Sequence, residues 1–298
     1  MWKTIKHTIR DAYFYILGRV APKRYADLLF FRTFKRHINW EDPQDIDEKI
    51  NWLKFNGDTS MWPLLADKYR VREYVAERGL AHLLVPIYGH WDKVEDIDWK
   101  SLPNQFVMKT NNGSGDALIC KDKSTLDIEH WKCHFAKQLK LKFGYAHAEP
   151  HYNKIKPCII VEELLDATKQ PIQSSSIADY KVWSFNGKPA YIWVCYNRTH
   201  HSTDVGVYDT NWTFHPEYSI STPHYQLSNI LIPKPEKLSE MLQAAAILSE
   251  GWPEVRVDFY VVDGKLYFGE MTMTAASGNN YFYTPEFNLM LGKLCELH

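Results

Sequence analysis

The chain has 298 residues and 45% hydrophobic content, enough to bury a sizeable core in one large domain or two closely packed ones. Its formal net charge of −1 excludes a whole-chain basic field for nucleic acid, and no apolar run is long enough to span a bilayer. Five scattered cysteines without a C-x-x-C pair favour free thiols and a cytoplasmic location.

The first 39 residues are basic, with nine Lys and Arg against Asp11 and Asp27. Aromatic and aliphatic residues interleave with these charges, so the segment could contact an anionic membrane at its inner face. A basic helix packed on the rest of the protein would give the same pattern. Arg19 interrupts the first apolar stretch and no cleavage site follows, so we predict no signal peptide.

Helices are predicted before the first strands. Residues 42–55 have an acidic start and apolar positions at helical spacing, which predicts a helix within a helical N-terminal segment, 1–58. Residues 61–80 predict another helix, ended by Gly79. A further helix is predicted at roughly 126–141. Short apolar runs bounded by Pro and Gly predict strands within 83–89, 104–109 and 156–165.

The rest of the chain predicts a mainly antiparallel sheet. Alternating residues predict strands within 179–185, 188–196, 255–262 and 265–273. Residues 237–252 predict a helix closed by Gly251. Because helices and strands are mixed without a regular βαβ rhythm, the predicted fold class is α+β. We divide the chain after residue 58 into two units, 59–157 and 158–298, which would face each other across a cleft.

The first candidate site is a polar loop between two strands. A strand delivers Lys109, and the residues that follow are Asn112, Gly113, Ser114 and Gly115. The glycines let amide N–H groups point inward, Lys109 supplies a charge and Ser114 a hydroxyl, which suits a phosphate. An ordinary hairpin turn would have the same sequence.

The second candidate site is a hairpin that carries two carboxylates. Alternation puts Arg256 with Asp258 on one strand and Glu270 with Thr272 on the other. A strict two-residue turn at 263–264 would put Asp258 and Glu270 on opposite faces, whereas an odd loop or a bulge would bring them together. Converging oxygen ligands would suit Mg²⁺, and a solvated salt-bridged face is the alternative.

The third candidate site is the end of a buried-looking strand. It runs into Glu162 and Glu163, followed by Leu164 and Leu165. Apolar side chains there could enclose an adenine while a carboxylate accepts hydrogen bonds from ribose hydroxyls, although most acidic strand ends have no such role. Arg198 and His200, in the one local histidine cluster, are assigned to substrate contacts or to the surface.

The order of these pieces resembles the ATP-grasp superfamily: Lys68, then Lys109 with its glycine loop, then residues 161–165, then the two halves of the hairpin. Several longer stretches resemble the TupA-like ATP-grasp family, which is associated with teichuronopeptide and other surface-polysaccharide biosynthesis. They are residues 47–55, 65–75, 102–115, 179–189 and 256–272. The resemblance covers roughly residues 35 to 297.

The resemblance implies an ATP-grasp fold in which two α+β lobes hold ATP, preceded by the short basic helical segment. It implies Lys68 and Lys109 on the phosphates, residues 162–165 at adenine and ribose, and Asp258 and Glu270 on Mg²⁺. Further roles are implied for Arg256 at the transferred phosphoryl group, for Asp179 and Lys181 at nucleotide or substrate, and for Thr272 where relatives have an Asn ligand.

The implied activity is ATP-dependent ligation of a carboxylate to an amine through an acyl phosphate, releasing ADP and phosphate. The expected partners are an amino acid or other amine and a carboxylate-bearing sugar or polysaccharide. A glycosyltransferase-like enzyme using a nucleotide sugar is the alternative, because eleven tryptophans and the acidic pairs could bind sugar and metal. A catalytically silent carbohydrate-binding protein is a third reading, disfavoured by intact Lys109, Asp258 and Glu270.

Overall fold

A computed structural model describes residues 13–113, 115, 117–228 and 230–297. The helices are α1 (13–20), α2 (Pro22–Phe34), α3 (Ile46–Asn56), α4 (Trp62–Leu65), α5 (Val71–Glu77), α6 (Ile128–Gln138), α7 (Phe143–His147), α8 (Leu238–Ser249) and α9 (Pro285–Leu294). The strands are β1 (Ile87–Trp91), β2 (Phe106–Thr110), β3 (Ala117–Cys120), β4 (Ile159–Glu162), β5 (Asp179–Phe185), β6 (Lys188–Tyr196), β7 (Thr203–Asp209), β8 (Tyr225–Leu227), β9 (Val255–Val262) and β10 (Lys265–Thr272). Within these residues, no helix has the length and apolar character needed to cross a membrane.

Helix α3 forms where the acidic start predicted it. Asp45 caps the helix, because its carboxylate accepts a hydrogen bond from the Glu48 backbone N–H at 2.9 Å. Arg36 forms ion pairs with both of these carboxylates. Ile46 and Ile50 are fully buried, and α3 packs on α9, so the N-terminal segment is joined to the end of the chain.

The single helix predicted over 61–80 is wrong, since two short helices, α4 and α5, lie there. The break is centred on Asp67, whose carboxylate accepts from the backbone N–H groups of Tyr69 and Arg70 at 2.9 and 3.1 Å. A side chain that bonds local amides competes with helix continuation. The interruption leaves Lys68 in the turn between the helices rather than on a helix face.

Four antiparallel strands form the first sheet, in the order β1-β4-β2-β3. Its core contains Phe106, Met108 and Val161 and is covered by Phe135 of α6. The strands and helix predicted here are confirmed. Strand β4 begins at Ile159, beyond the unit boundary at 157, and the division into 1–58, 59–157 and 158–298 stays a prediction.

Six strands form the second sheet, in the order β10-β9-β5-β6-β7-β8, with only β7 and β8 parallel. Every residue of β5 is buried, and α8 packs on β5, β6 and β9. Strands β7 and β8 were not predicted, because β7 contains Gly206 and three charged or polar positions and β8 has three residues. Two sheets with separate helices confirm the α+β class.

Candidate active site

A cleft of about 830 Å³ lies between the two sheets. Val107 and Lys109 of β2 line it from the four-stranded sheet. Lys181 of β5, Asp258 of β9 and Glu270 of β10 line it from the six-stranded sheet. The cleft therefore brings together residues from the distant parts of the sequence that were assigned to phosphate and to metal.

The hairpin β9–β10 shows whether Asp258 and Glu270 lie on the same face of the sheet, which the sequence left open. Its turn has two residues, Asp263 and Gly264, both with positive φ (53° and 67°), and it alone would set Asp258 opposite Gly269. A register shift between Phe268 and Glu270 pairs Glu270 with Asp258 instead. The bulge therefore places both carboxylates on the face that borders the cleft.

Glycine at position 269 avoids crowding in this bulge. A Cβ there would lie 3.0 Å from the Asp258 carbonyl oxygen and 3.2 Å from the Tyr260 ring. Those contacts are too close for any larger residue without a shift of the backbone of β9 or of the ring. The glycine in the local sequence F-G-E therefore favours the bulge, and the bulge directs Glu270 to the cleft.

Asp258 lies at the centre of a buried group of charges and is only 1% exposed. Arg256 donates two hydrogen bonds to its carboxylate, from Nε to Oδ1 at 2.8 Å and from Nη2 to Oδ2 at 3.0 Å. Lys181 Nζ lies 2.5 Å from the same Oδ2. Burial raises the pKa of Asp258, and the two cations oppose that rise.

Glu270 is the more accessible carboxylate, with a third of its side chain exposed. Its Oε2 lies 3.2 Å from Lys68 Nζ, and its Oε1 accepts a hydrogen bond from the Thr272 hydroxyl at 3.3 Å. Burial alone would raise the pKa of Glu270, but the positive charges of Lys68, Lys181 and Arg256 outweigh burial and hold it well below its usual value. Glu270 is therefore an anion over the working pH range.

Asp179 continues the charge network towards the mouth of the cleft. Its carboxylate forms an ion pair with Arg198, and Lys181 Nζ lies 3.5 Å from its Oδ2. Burial would raise the pKa of Asp179, but the positive charges of Lys181 and Arg198 outweigh burial and hold this pKa below its usual value. Arg198 lines the cleft, with half its side chain exposed, whereas His200 is exposed on the neighbouring turn and does not line the cleft.

The wall formed by the four-stranded sheet carries its own charges. Lys109 Nζ lies 2.6 Å from Glu162 Oε2 on the adjacent strand. Lys68 Nζ donates to the Gly113 carbonyl at 2.9 Å while it also contacts Glu270, so this one side chain connects the polar loop to the hairpin. Residues 162–165 line the same side of the cleft.

The polar loop is held by a residue that the sequence analysis did not single out. Asn111 accepts a hydrogen bond from the Cys158 N–H at 2.7 Å and donates to the Lys156 carbonyl at 3.0 Å. Gly113 and Gly115 line the cleft, whereas Asn112 is buried and does not. The predicted phosphate contact at Ser114 lies outside the described residues.

Several cleft residues were missed by the sequence analysis. Alternation back from Lys109 would have found two of them, Gln105 and Val107, because residues two apart share a face. The same rule on β3 would have connected Ala117 with Ile119. Alternation from Asp258 and from Ile119 would also have reached Tyr260 and Lys121. The remaining missed lining residues, on segments without a periodic pattern, include Val85, Asp166, Thr168, Ser175, Ser176 and Ile177.

The predicted metal ligands consist only of oxygen donors, the chemistry that Mg²⁺ prefers. Asp258 and Glu270 are paired across the hairpin, and Glu270 faces the cleft, so these residues fit such an ion. Thr272 and Arg256 do not line the cleft; Arg256 Nη2 donates to the Thr272 hydroxyl at 3.2 Å. Among the described residues, no three His, Cys, Asp or Glu side chains converge as a metal site.

The fold and the order of these residues are those of an ATP-grasp protein. A family model described as TupA-like ATPgrasp matches residues 48–296, and the chain belongs to this family. No curated protein matches the sequence.

Solved structures with a similar fold include three ligases. D-alanine-D-alanine ligase from Helicobacter pylori has 13% identity over 78% of this chain and 62% of its own, with a TM-score of 0.41. The Bacillus anthracis D-alanine-D-alanine ligase complexed with ATP has 15% identity over 78% and 65%, with a TM-score of 0.42. L-amino acid ligase from Bacillus licheniformis has 13% identity over 90% and 60%, with a TM-score of 0.46. This chain thus spans less than two thirds of the length of each.

Proposed function

We propose that this protein is an ATP-dependent ligase that joins a carboxylate to an amine. The observation that supports this most is the cleft, which is lined by Lys68 and Lys109 and by the carboxylates of Asp258 and Glu270. Such a site can hold a triphosphate between cations on one side and a bound cation on the other. The family membership of the chain agrees with this reading.

We assign the nucleotide to the full length of the cleft. The adenine and ribose would lie against residues 162–165, where Leu164 and Leu165 offer apolar contact and Glu162 or Glu163 accepts from ribose hydroxyls. The phosphates would extend to Lys109 and to the backbone of Gly113 and Gly115. Asn112 and Ser114 remain proposed members of this loop.

Asp258 and Glu270 would hold Mg²⁺, with Thr272 as a weaker third oxygen. When bound, the ion would neutralise charge on the phosphate oxygens. Arg256 contacts Asp258 through two hydrogen bonds, so we assign it to orienting that carboxylate and to positive charge near the transferred group. Lys181 contacts the carboxylates of Asp258 and Asp179, and we assign it to orienting them as well.

The proposed reaction has two steps. A substrate carboxylate oxygen attacks the γ-phosphorus of ATP, the bond from that phosphorus to the bridging oxygen breaks, and ADP leaves. The amine nitrogen then attacks the acyl carbon, the carbon–oxygen bond to phosphate breaks, phosphate leaves and the nitrogen loses a proton. Lys109 stabilises charge in the first step, and no protein nucleophile is needed.

We assign the second substrate to the mouth of the cleft near Arg198. Its guanidinium is half exposed beside Asp179, which gives this end of the cleft paired opposite charges suited to an amino acid or another amine. His200, on the neighbouring turn, is a further proposed contact. The carboxylate would come from a surface polysaccharide or its precursor in the cytoplasm, as the association of the TupA-like family with such polymers suggests.

The test is ADP release by the purified protein with Mg²⁺ and ATP. Amino acids and uronic-acid glycans are supplied singly and in pairs, and the matched reactions contain EDTA. We expect ADP and phosphate in equal amounts only when a carboxylate and an amine are both present. Binding of a nucleotide sugar without binding of ATP would overturn the proposal in favour of glycosyl transfer.

A further inference from the structure

Helix α1 exposes an apolar face. Tyr13, Ile16 and Val20 are 58%, 58% and 70% exposed. Their spacing of three and four residues puts all three on one side of the helix. A helix on a protein surface normally turns polar residues outward, so among the described residues this face has no partner to match its composition.

The other side of α1 is firmly packed, which fixes the direction of the apolar face. A Cβ on Gly18 would lie 1.9 Å from the Tyr145 carbonyl oxygen of α7, so only glycine allows this approach. Phe14 and Leu17 pack on a cluster that contains Tyr25. The packed side therefore holds α1 in place, and the apolar face has a fixed direction.

A second exposed segment, distant in sequence, precedes the helix that α1 contacts. Residues 140–142 end three positions before Tyr145, the contact point of α1. Leu141 is 53% exposed between Lys140 and Lys142, which are both exposed. We call Tyr13, Ile16, Val20 and Leu141, with the basic residues around them, the apolar-basic patch.

The charge of the patch is positive. Its exposed basic residues are Arg19, Arg24, Lys140 and Lys142, and none of them forms an ion pair with a residue that the structure describes. The nearby acid of α2, Asp27, is already engaged, since it lies 2.7 Å from His37 Nδ1 and accepts from a backbone N–H. Apolar side chains placed among these cations complement a bilayer that carries anionic lipids.

We propose that the apolar-basic patch binds the anionic surface of a membrane. The apolar side chains enter the interface between headgroups and acyl chains, and the cations pair with lipid phosphates. Binding through α1 and residues 140–142 leaves the cleft residues uninvolved. The inference is therefore independent of the proposed ligase activity, and it gives the enzyme access to substrates held at a membrane.

The experiment is co-sedimentation of the full chain with vesicles of phosphatidylcholine alone or with 30% phosphatidylglycerol. We compare wild type with I16E/V20E and with the matched control I230E/L231E, which changes two aliphatic residues that are 69% and 70% exposed elsewhere. Wild type and the control are expected to bind anionic vesicles, and I16E/V20E to bind them at least about tenfold more weakly. Raising salt is expected to weaken the binding.

Equal binding by wild type and I16E/V20E would overturn the proposal, as would failure of wild type to bind anionic vesicles. Light scattering after gel filtration gives a further decisive outcome. A wild-type dimer that I16E/V20E converts to a monomer would assign the patch to a second copy of this chain. Unchanged melting temperatures of both double variants confirm that the comparison concerns the surface.

Discussion

The two walls of the cleft carry charge in different ways. On the six-stranded sheet, Asp258 is buried and held by Arg256 and Lys181 at fixed distances. On the four-stranded sheet, Lys109 is 20% exposed and, among the described residues, has one ion pair, with Glu162, whose side chain is 12% exposed. Charge on the first wall is fixed by packing, whereas charge on the second can be redirected to a ligand at little cost in stability.

The largest expected effect is that of D258N. The change removes the buried carboxylate charge that Arg256 and Lys181 both contact and leaves them the longer ion pairs with Glu270 and Asp179, so we expect a loss of about 3 kcal/mol in stability. It also removes a proposed metal ligand, so ADP release should fall about 10³-fold. Thermal melts and the ADP assay measure the two losses. D263N in the exposed turn is the matched control; a stable, active D258N would remove the distinction between the walls.

The second effect is that of K109M. Loss of the charge should lower ADP release about 10²-fold. Stability should fall less than for D258N, by about 1 kcal/mol, because the Lys109 side chain reaches solvent and its ion pair with Glu162 is less buried than the Asp258 contacts. K265M, at an exposed strand end, controls for loss of a lysine. A large fall in the melting temperature of K109M, without a similar fall for K265M, would show that the charges of the four-stranded wall also stabilise the fold.

The third test concerns a histidine that is buried without a hydrogen-bond partner for one ring nitrogen among the described residues. His151, just before β4, is 3% exposed, and its Nε2 has no hydrogen-bond partner among the described residues. Burial, aided by the charge of Lys54, lowers its pKa from 6.5 to about 3. The unfolded chain then binds a proton that the folded chain does not, so stability is lost as pH falls from 6.5 towards 3.

The variant H151L should be free of that loss. Between pH 7.5 and 4.5, the free energy of unfolding of wild type should fall by about 2.6 kcal/mol relative to that of H151L. Urea denaturation at both pH values measures the difference. Because other buried acids are common to both proteins, their contributions cancel. A constant difference across this range would contradict the predicted titration.

The smallest expected effect compares one glycine on each wall. G269A would put a Cβ 3.0 Å from the Asp258 carbonyl oxygen, so we expect a loss of about 1 kcal/mol and several-fold less ADP release. G113A meets no atom closer than 3.7 Å and should keep its stability. Thermal melts of the pair measure this. Equal losses in both would mean that the bulge does not distinguish the walls.

Much of the fold could be predicted because its signals are local. The alternation in β5, β6, β9 and β10 and the cap at Asp45 are readable along the sequence. The break at Asp67 was missed, because helical spacing outweighed a side chain that bonds its own neighbours. Strand β8 has only three residues and depends on its partner, β7.

The site was predicted less completely, because its geometry depends on pairing. The sequence allowed Asp258 and Glu270 to converge, but the bulge that pairs them is visible only in the register of two strands. The contact between Lys68 and Glu270 joins residues about two hundred positions apart and has no sequence signal. The roles of all these residues in binding and catalysis stay predictions.

Lys68 connects the two walls of the cleft. An ammonium group has three N–H donors, and contacts with the Gly113 carbonyl and Glu270 account for two of them. In the proposed ATP complex, the third donor would be available to a phosphate oxygen while both contacts are kept. In the proposed complex, one side chain would therefore tie a bound phosphate to the polar loop on one wall and to the hairpin on the other.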